Sequence, residues 1–157
     1  MRLTILRHAK SSWGDSHLDD FDRPLDEGGW KAARRMGREL KYRGFCFDYC
    51  AASTAARVRE TLDALIEGFG QPVFEIRFEP RIYEATVATL LDIVRGLPAN
   101  VKAPLLVGHN PGLQGLIIQL AHDRSSRDRV ADKFPTTGLA QIDLPALHWG
   151  AVQPGSG

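Results

Sequence analysis

Four short apolar runs, each followed downstream by a helical stripe, restrict the fold of this 157-residue chain more than any other feature. The runs are Leu3–Leu6, Asp48–Ala52, Phe74–Phe78 and Pro104–Gly108. Behind them, apolar side chains recur at helical spacing: Trp30, Ala33, Gly37 and Leu40; Val58, Leu62, Leu65 and Phe69; Val87, Leu90, Leu91, Val94 and Leu97; Leu113, Leu116, Ile117 and Leu120. Asp123–Lys133 reads as one more irregular helical piece, and Leu139–Leu144 as a late strand. Strand and helix in alternation imply right-handed crossovers. The expected architecture is therefore α/β, a single three-layer domain with a largely parallel central sheet and helices on both faces.

Local signals place the boundaries. Asp26 is a helix N-cap and Gly44 a stop; Ser53 and Asn110 read as N-caps, Pro111 as a first helical residue, Gly68 and Gly70 as a helix end, and Pro98 as a terminator. Ser11–Asp22 is a polar loop holding Trp13, Gly14 and four aspartates, Asp15, Asp19, Asp20 and Asp22. With no repeat or linker, residues 1–157 read as one domain, with a frayed tail from about Val152. A domain of this length buries roughly 70% of its unfolded surface and needs no staple.

The balance of charge narrows the partners. Charged residues make up 25% of the chain and the formal net charge is +1, which argues against nucleic acid. Arg34, Arg35, Arg38, Lys41 and Arg43 read as the solvated face of an amphipathic helix. Cys46 and Cys50, if extended, lie about 13 Å apart, too far for a disulfide, so both are expected as free thiols. The sequence has neither a secretory apolar region at its start nor a run long enough to span a membrane. A reduced, cytoplasmic protein with no membrane association is expected.

Chemistry concentrates where the strands end. In open α/β sheets, ligands bind outside the carboxyl ends of the strands. The first run delivers Arg7 and His8 there, the second Ser53 with Arg57 one helical turn on, and the fourth His109. Two arginines and two histidines at one edge suit a phosphate group, which guanidinium groups grip bidentately. Helix starts after Ser53 and Asn110 add backbone N–H donors.

These residues resemble the histidine phosphatase superfamily. Leu6-Arg7-His8-Ala9 is similar to its R-H-G signature, with Ala9 in place of glycine; Ser53-Thr54-Ala55-Ala56-Arg57-Val58-Arg59-Glu60-Thr61 to its S-x-A-x-R-x-x-x-T element; and Val107-Gly108-His109-Asn110 to its second histidine motif. Asp22-Arg23-Pro24-Leu25-Asp26, Ile82-Tyr83-Glu84-Ala85 and Lys133-Phe134-Pro135-Thr136-Thr137 resemble the short branch related to SixA-type phosphohistidine phosphatases. The resemblance covers the chain to about Leu144 and implies a phosphoglycerate mutase-like fold. It implies His8 as the nucleophile of a covalent phosphohistidine intermediate, with Arg7, Arg57 and His109 around the phosphoryl oxygens. Glu84 is the candidate general acid, or else a structural residue at a helix entry. Arg23 either touches the substrate or pairs with Asp19, Asp20 or Asp22, and Ser53 and Asn110 complete the substrate-binding set.

The expected activity is a hydrolase acting on protein phosphohistidine, with a small phosphorylated metabolite as the alternative substrate, as in a phosphomonoesterase or a mutase of the same superfamily. No cofactor and no metal is expected. A metal hydrolase drawing on His8, His17, Asp19, Asp20, Asp22 and His109 is disfavoured, because Arg7 and Arg57 would repel a cation. A binding module without turnover would require the loss of a core residue, and His8, Arg7, Arg57 and His109 are all present.

Overall fold

The computed structural model describes residues 1–14, 16–70 and 74–157. Asp15, counted above with the polar loop, lies outside the described residues. Among the described residues, five strands form one sheet: β1 (Arg2–Arg7), β2 (Tyr49–Ala52), β3 (Glu75–Phe78), β4 (Pro104–Gly108) and β5 (Leu139–Asp143), in the order β3-β2-β4-β1-β5. All neighbouring pairs are parallel except β1–β5. The helices are α1 (Glu27–Tyr42), α2 (Ala56–Phe69), α3 (Val87–Arg95), α4 (Gly112–Leu120) and α5 (Arg124–Asp132). The α/β architecture read from the sequence is the one observed.

Both faces of the sheet are apolar, as a parallel sheet covered by crossover helices requires. Leu6, Cys50, Ala52, Leu105 and Val107 pack with Leu40 of α1 and Val58, Leu62 and Leu65 of α2. Their strand neighbours Leu3, Ile5, Tyr49, Ala51 and Leu106 point the other way, toward Leu90, Val94, Leu113, Leu116 and Ile117 of α3 and α4. Helices α1 and α2 approach until backbone meets backbone. A side chain at Gly37 would strike the Leu65 carbonyl, and one at Gly68 the Arg34 carbonyl. Gly68 is thus an interior residue of α2, chosen for close approach, and of the two glycines expected at the helix end only Gly70, with φ +89, closes it.

Two expected caps are absent. Ser53 does not cap α2, because just past β2 its backbone is still tied to the neighbouring strand: its N–H donates to the Val107 carbonyl (3.0 Å), and the helix starts only at Ala56. Asn110 does not cap α4, which starts at Gly112 after Pro111; its amide instead donates to the Phe134 carbonyl (2.9 Å). Asp26 does cap α1, accepting from Gly29 N–H at 2.7 Å. Asp123–Lys133 contains a regular helix, α5, rather than an irregular piece, and Asp123 caps it. Among the described residues no helix is long and apolar enough to cross a membrane.

The frayed tail is a further correction. Trp149 is 2% exposed and Val152 is fully buried. The indole N–H donates to the Val101 carbonyl (2.8 Å), Arg95 donates through Nε and Nη2 to the Val152 carbonyl, and Gly155 N–H donates to the Gln119 carbonyl (2.8 Å). Two apolar residues separated only by Gly150 and Ala151 give no periodic signal, but they fill the space beside α3. Trp149→Ala is expected to cost about 3–5 kcal/mol of stability, the range for a buried Trp truncation. Urea unfolding checks this, and a loss below ~1 kcal/mol would show that the segment is peripheral.

Candidate active site

Register brings the histidines together. β1 and β4 pair in parallel with Arg7 opposite Gly108, so the next residues, His8 and His109, leave the sheet side by side. Their ring centroids are 5.1 Å apart. β2 pairs on the far side of β4 with Ala52 opposite Val107, which carries Ser53 up against His109. Ser53 Oγ lies 2.8 Å from His109 Nε2. Backbone contacts fix the turn after β1: Ala9 N–H donates to Thr61 Oγ1 (3.0 Å), and Thr137 N–H reaches the carbonyls of Arg7 and His8. The methyl of Ala9, where the family signature has glycine, is fully buried among Leu25, Ala33 and Ala64.

A cavity of about 680 Å³ opens above the two imidazoles, and Arg7, His8, Arg23, Arg57, Glu84, His109 and Asn110 all line it. Ser53 does not: it is fully buried behind His109, so its expected contact with substrate is replaced by support of the imidazole. Arg7 Nη1 donates to the Phe134 carbonyl (2.8 Å), the same oxygen that receives Asn110. Arg57 donates through Nη2 to Asp20 Oδ2 (2.9 Å) and through Nη1 to the Asp20 carbonyl. Arg23 donates through Nε to Asp20 Oδ1 (3.0 Å) and through Nη1 to Ser11 Oγ (2.9 Å), while Trp13 covers its guanidinium at 3.5 Å. Of the pairings left open for Arg23, Asp20 is the one formed. Glu84 is exposed on the wall, with a backbone φ of +51. Such a conformation is sparse for a residue with a side chain and recurs at functional sites.

Electrostatics keep both imidazoles neutral. His8 is pushed down to about 4, first by burial and then by the charges of Arg57, Arg7 and Arg23. His109 is pushed down to about 3 by burial and by Arg57. The Ala9 carbonyl, 2.7 Å from His8 Nδ1, can only accept, so the single proton of neutral His8 is on Nδ1 and the lone pair is on Nε2. For Asp20, burial alone would raise the carboxyl. Hydrogen bonds from Tyr83 and Arg23, with the Arg57 charge, outweigh it and hold the group at about 2.

Buried polar atoms point to a ligand. Five buried side-chain polar atoms have no hydrogen-bond partner among the described residues: Arg7 Nε, Arg34 Nε, Arg57 Nε, His109 Nδ1 and Asn110 Oδ1. All but Arg34 belong to residues that line the cavity. Each orphaned group costs about 1–3 kcal/mol, so the concentration of unpaired nitrogens of Arg7, Arg57 and His109 at one place fits a site whose partner is a bound anion, whereas Asn110 Oδ1 accepts and calls for a donor. Nor does any side chain cap α2 or α4, the helices that begin here, whereas Asp26, Thr86 and Asp123 cap α1, α3 and α5.

Sequence reasoning did not single out Lys10, Ser11, Trp13 or Thr136, which also line the cavity. They lie on loops without periodicity, and only their closeness to His8 or to a family motif could have flagged them. Thr61 was quoted only as a motif letter. Its physical role is to take the Ala9 N–H while donating to the Arg57 carbonyl, which joins the two motifs.

Known proteins resemble this chain in sequence and in fold. Residues 3–92 match the model of the histidine phosphatase superfamily (branch 1). The uncharacterized protein Rv1276c of Mycobacterium tuberculosis (strain ATCC 25618 / H37Rv) is 36% identical over 154 residues, covering 96% of this chain and 93% of the relative. The crystal structure of a candidate phosphohistidine phosphatase SixA from Agrobacterium tumefaciens superposes with a TM-score of 0.83 at 31% identity, covering 91% of each chain. A second, from Nakamurella multipartitia, gives 0.81 at 28% identity, covering 96% of this chain and 88% of the other.

The neutral imidazoles have a thermodynamic consequence. An unfolded histidine takes up its proton near pH 6.5, whereas folded His8 and His109 resist until about 4 and 3. Between those limits the unfolded state binds more protons, so stability is full above the unfolded value and falls as pH drops through the window. Thermal melts from pH 7 to pH 4 should show this loss. The variant carrying both His8→Asn and His109→Asn should show a shallower dependence, and an unchanged slope would refute the assignment.

Proposed function

This chain belongs to the histidine phosphatase superfamily (branch 1), which makes it a phosphatase enzyme, and on that premise we propose that it removes phosphoryl groups from protein phosphohistidine through a covalent intermediate on His8. The observation that carries the reading is the floor of the cavity. A neutral His8 with its lone pair on Nε2 lies beside His109, among arginine and imidazole nitrogens that have no partner among the described residues.

In this reading Nε2 of His8 attacks phosphorus in line, the P–N bond of the substrate breaks, and the departing imidazole keeps that electron pair. Arg7, Arg57 and His109 face the three equatorial oxygens, whose charge is spread in the transition state. When Ser53 donates to Nε2 of His109, the proton of that ring is on Nδ1 and serves as a third donor. Water then attacks the phosphoryl group, the P–Nε2 bond breaks, and phosphate leaves with the added oxygen. Neither step calls on a metal. The arginines that line the cavity favour an anion over a cation.

Three features support a phosphorylated protein as substrate. The reacting groups are at the floor of a cavity walled by Lys10, Ser11, Trp13, Asp20, Arg23 and Glu84–Thr86, which leaves room for a projecting side chain. Imidazole is a better leaving group than an alkoxide, so phosphohistidine depends less on Glu84 as acid. The likeness to the Agrobacterium protein points the same way. We place the activity in the cytoplasm, where the free Cys46 and Cys50 stay reduced.

Quenched turnover should trap an acid-labile, alkali-stable phosphoryl group on Nε2 of His8, visible by phosphorus NMR and absent from His8→Ala. An adduct on another residue would overturn the mechanism. Glu84→Gln should lower kcat/KM on an alkyl phosphate about a hundredfold or more, the range for loss of a general acid, while a phosphohistidine peptide loses much less. Faster turnover of 3-phosphoglycerate or a sugar phosphate than of any phosphohistidine peptide would replace this substrate with a small metabolite.

A further inference from the structure

Asp20 engages Arg57, one of the groups that the phosphatase reading assigns to the phosphoryl ligand, together with Arg23 and Tyr83. Its carboxylate accepts from Arg57 Nη2 (2.9 Å), Arg23 Nε (3.0 Å) and the Tyr83 hydroxyl (2.9 Å), and its main-chain carbonyl accepts from Arg57 Nη1. A carboxylate held by two guanidinium groups and a phenol is chemically close to a phosphoryl oxygen pair in an arginine site. Asp20 lies on the short turn Asp20–Asp22, in the wall of the same cavity as His8 and His109.

We propose that Asp20 is a specificity-determining residue that competes with the phosphoryl group for Arg57 and Arg23, so that the site releases inorganic phosphate and keeps only ligands with further contacts. The inference rests on the reading of this cavity as a phosphoryl site. Arg7, Lys10, Arg23 and Arg57 line the cavity, and Asp20 and Glu84 are its carboxylates. Without a counter-charge, such a site holds the product dianion tightly and stalls after each turnover.

Geometry gives Asp20 two ways to oppose this. Arg57 has five N–H donors, of which Asp20 engages two, so a phosphoryl group can reach the others while the carboxylate stays. Dianion and carboxylate then share one guanidinium and repel each other. Alternatively the carboxylate swings out. It is the partner able to do so, with its side chain 47% exposed against 6% for Arg57, but the contacts to Arg23 and Tyr83 are then lost. Either route weakens every phosphoryl ligand. A phosphorylated protein recovers the loss through contacts outside the pocket, and inorganic phosphate cannot.

Asp20→Asn keeps the shape and removes the charge. Calorimetric titration with inorganic phosphate and with tungstate should show binding at least about tenfold tighter than wild type, the order expected for deleting one charge next to a dianion in a partly exposed site. Asp20→Ala should shift affinity in the same direction, and Asp20→Glu should stay within about threefold of wild type because the charge is retained. Thermal melts establish that each variant is folded. Equal or weaker anion binding by folded Asp20→Asn or Asp20→Ala would overturn the proposal and leave Asp20 as a positioning residue for Arg57. If neither anion bound to the wild type or to any folded Asp20 variant, the phosphoryl reading itself would be overturned, a separate result, since there would be no affinity for Asp20 to modulate.

Discussion

The parallel pairing of β1 with β4 is the contact on which the cavity depends, because it alone puts His8 beside His109. A slip of one residue would turn every side chain of β1 to the opposite face. Hydrophobicity does little to forbid that slip, since Leu3 and Ile5 on one face and Leu6 on the other are all fully buried in apolar surroundings. Polar contacts at the carboxyl end supply the missing specificity. Gly138 accepts from Arg7 N–H, Thr61 receives Ala9 N–H, and the Lys10 carbonyl receives Asp26 N–H. The residues that fix the register are thus the ones that surround the chemistry.

A second theme is what the site leaves unsatisfied. Elsewhere helix starts are closed by Asp26, Thr86 and Asp123, and the backbone around β5 and the C-terminal segment is paired. At the cavity, α2 and α4 begin without a side-chain cap, and nitrogens of Arg7, Arg57 and His109 are buried without a partner among the described residues. Burial lowers the proton affinity of the imidazoles, and the arginines add to the effect. The free protein tolerates groups that an anion would satisfy, which is how pre-organised sites are built.

Much of this was legible in the sequence, for identifiable reasons. Pro104–Gly108 is read to the residue because it is short, wholly apolar and bounded by turn residues, and α1 starts at Asp26 because its cap is local. Arg7, His8, Arg57 and His109 are found because the carboxyl ends of strands are a topological address, reinforced by the family motifs. What failed was long-range or two-sided. Ser53 and Asn110 have the chemistry of caps, but their partners, His109 and the Phe134 carbonyl, are far away in the chain. Gly68 looks like a terminator because the backbone of α1 that it accommodates lies 34 residues earlier at Arg34. Trp149 and Val152 carry no pattern because they fill a gap defined by other elements. Asp20 was one of three aspartates within reach of Arg23, and only the fold shows that it also holds Arg57.

The close contact of α1 and α2 bears on how such an enzyme can diversify. Gly37 and Gly68 let the two helices meet backbone to backbone, which leaves no side-chain layer to yield between them. Arg57 is the second residue of α2, so its guanidinium is mounted on this closely packed helix pair. The opposite rim is made of Trp13, Asp20 and Arg23, carried by a loop and a single short turn. Mutational drift can therefore reshape the rim, and with it the range of partners admitted, without moving the backbone that carries Arg57, and Asp20 is the one rim residue whose change reaches that guanidinium directly.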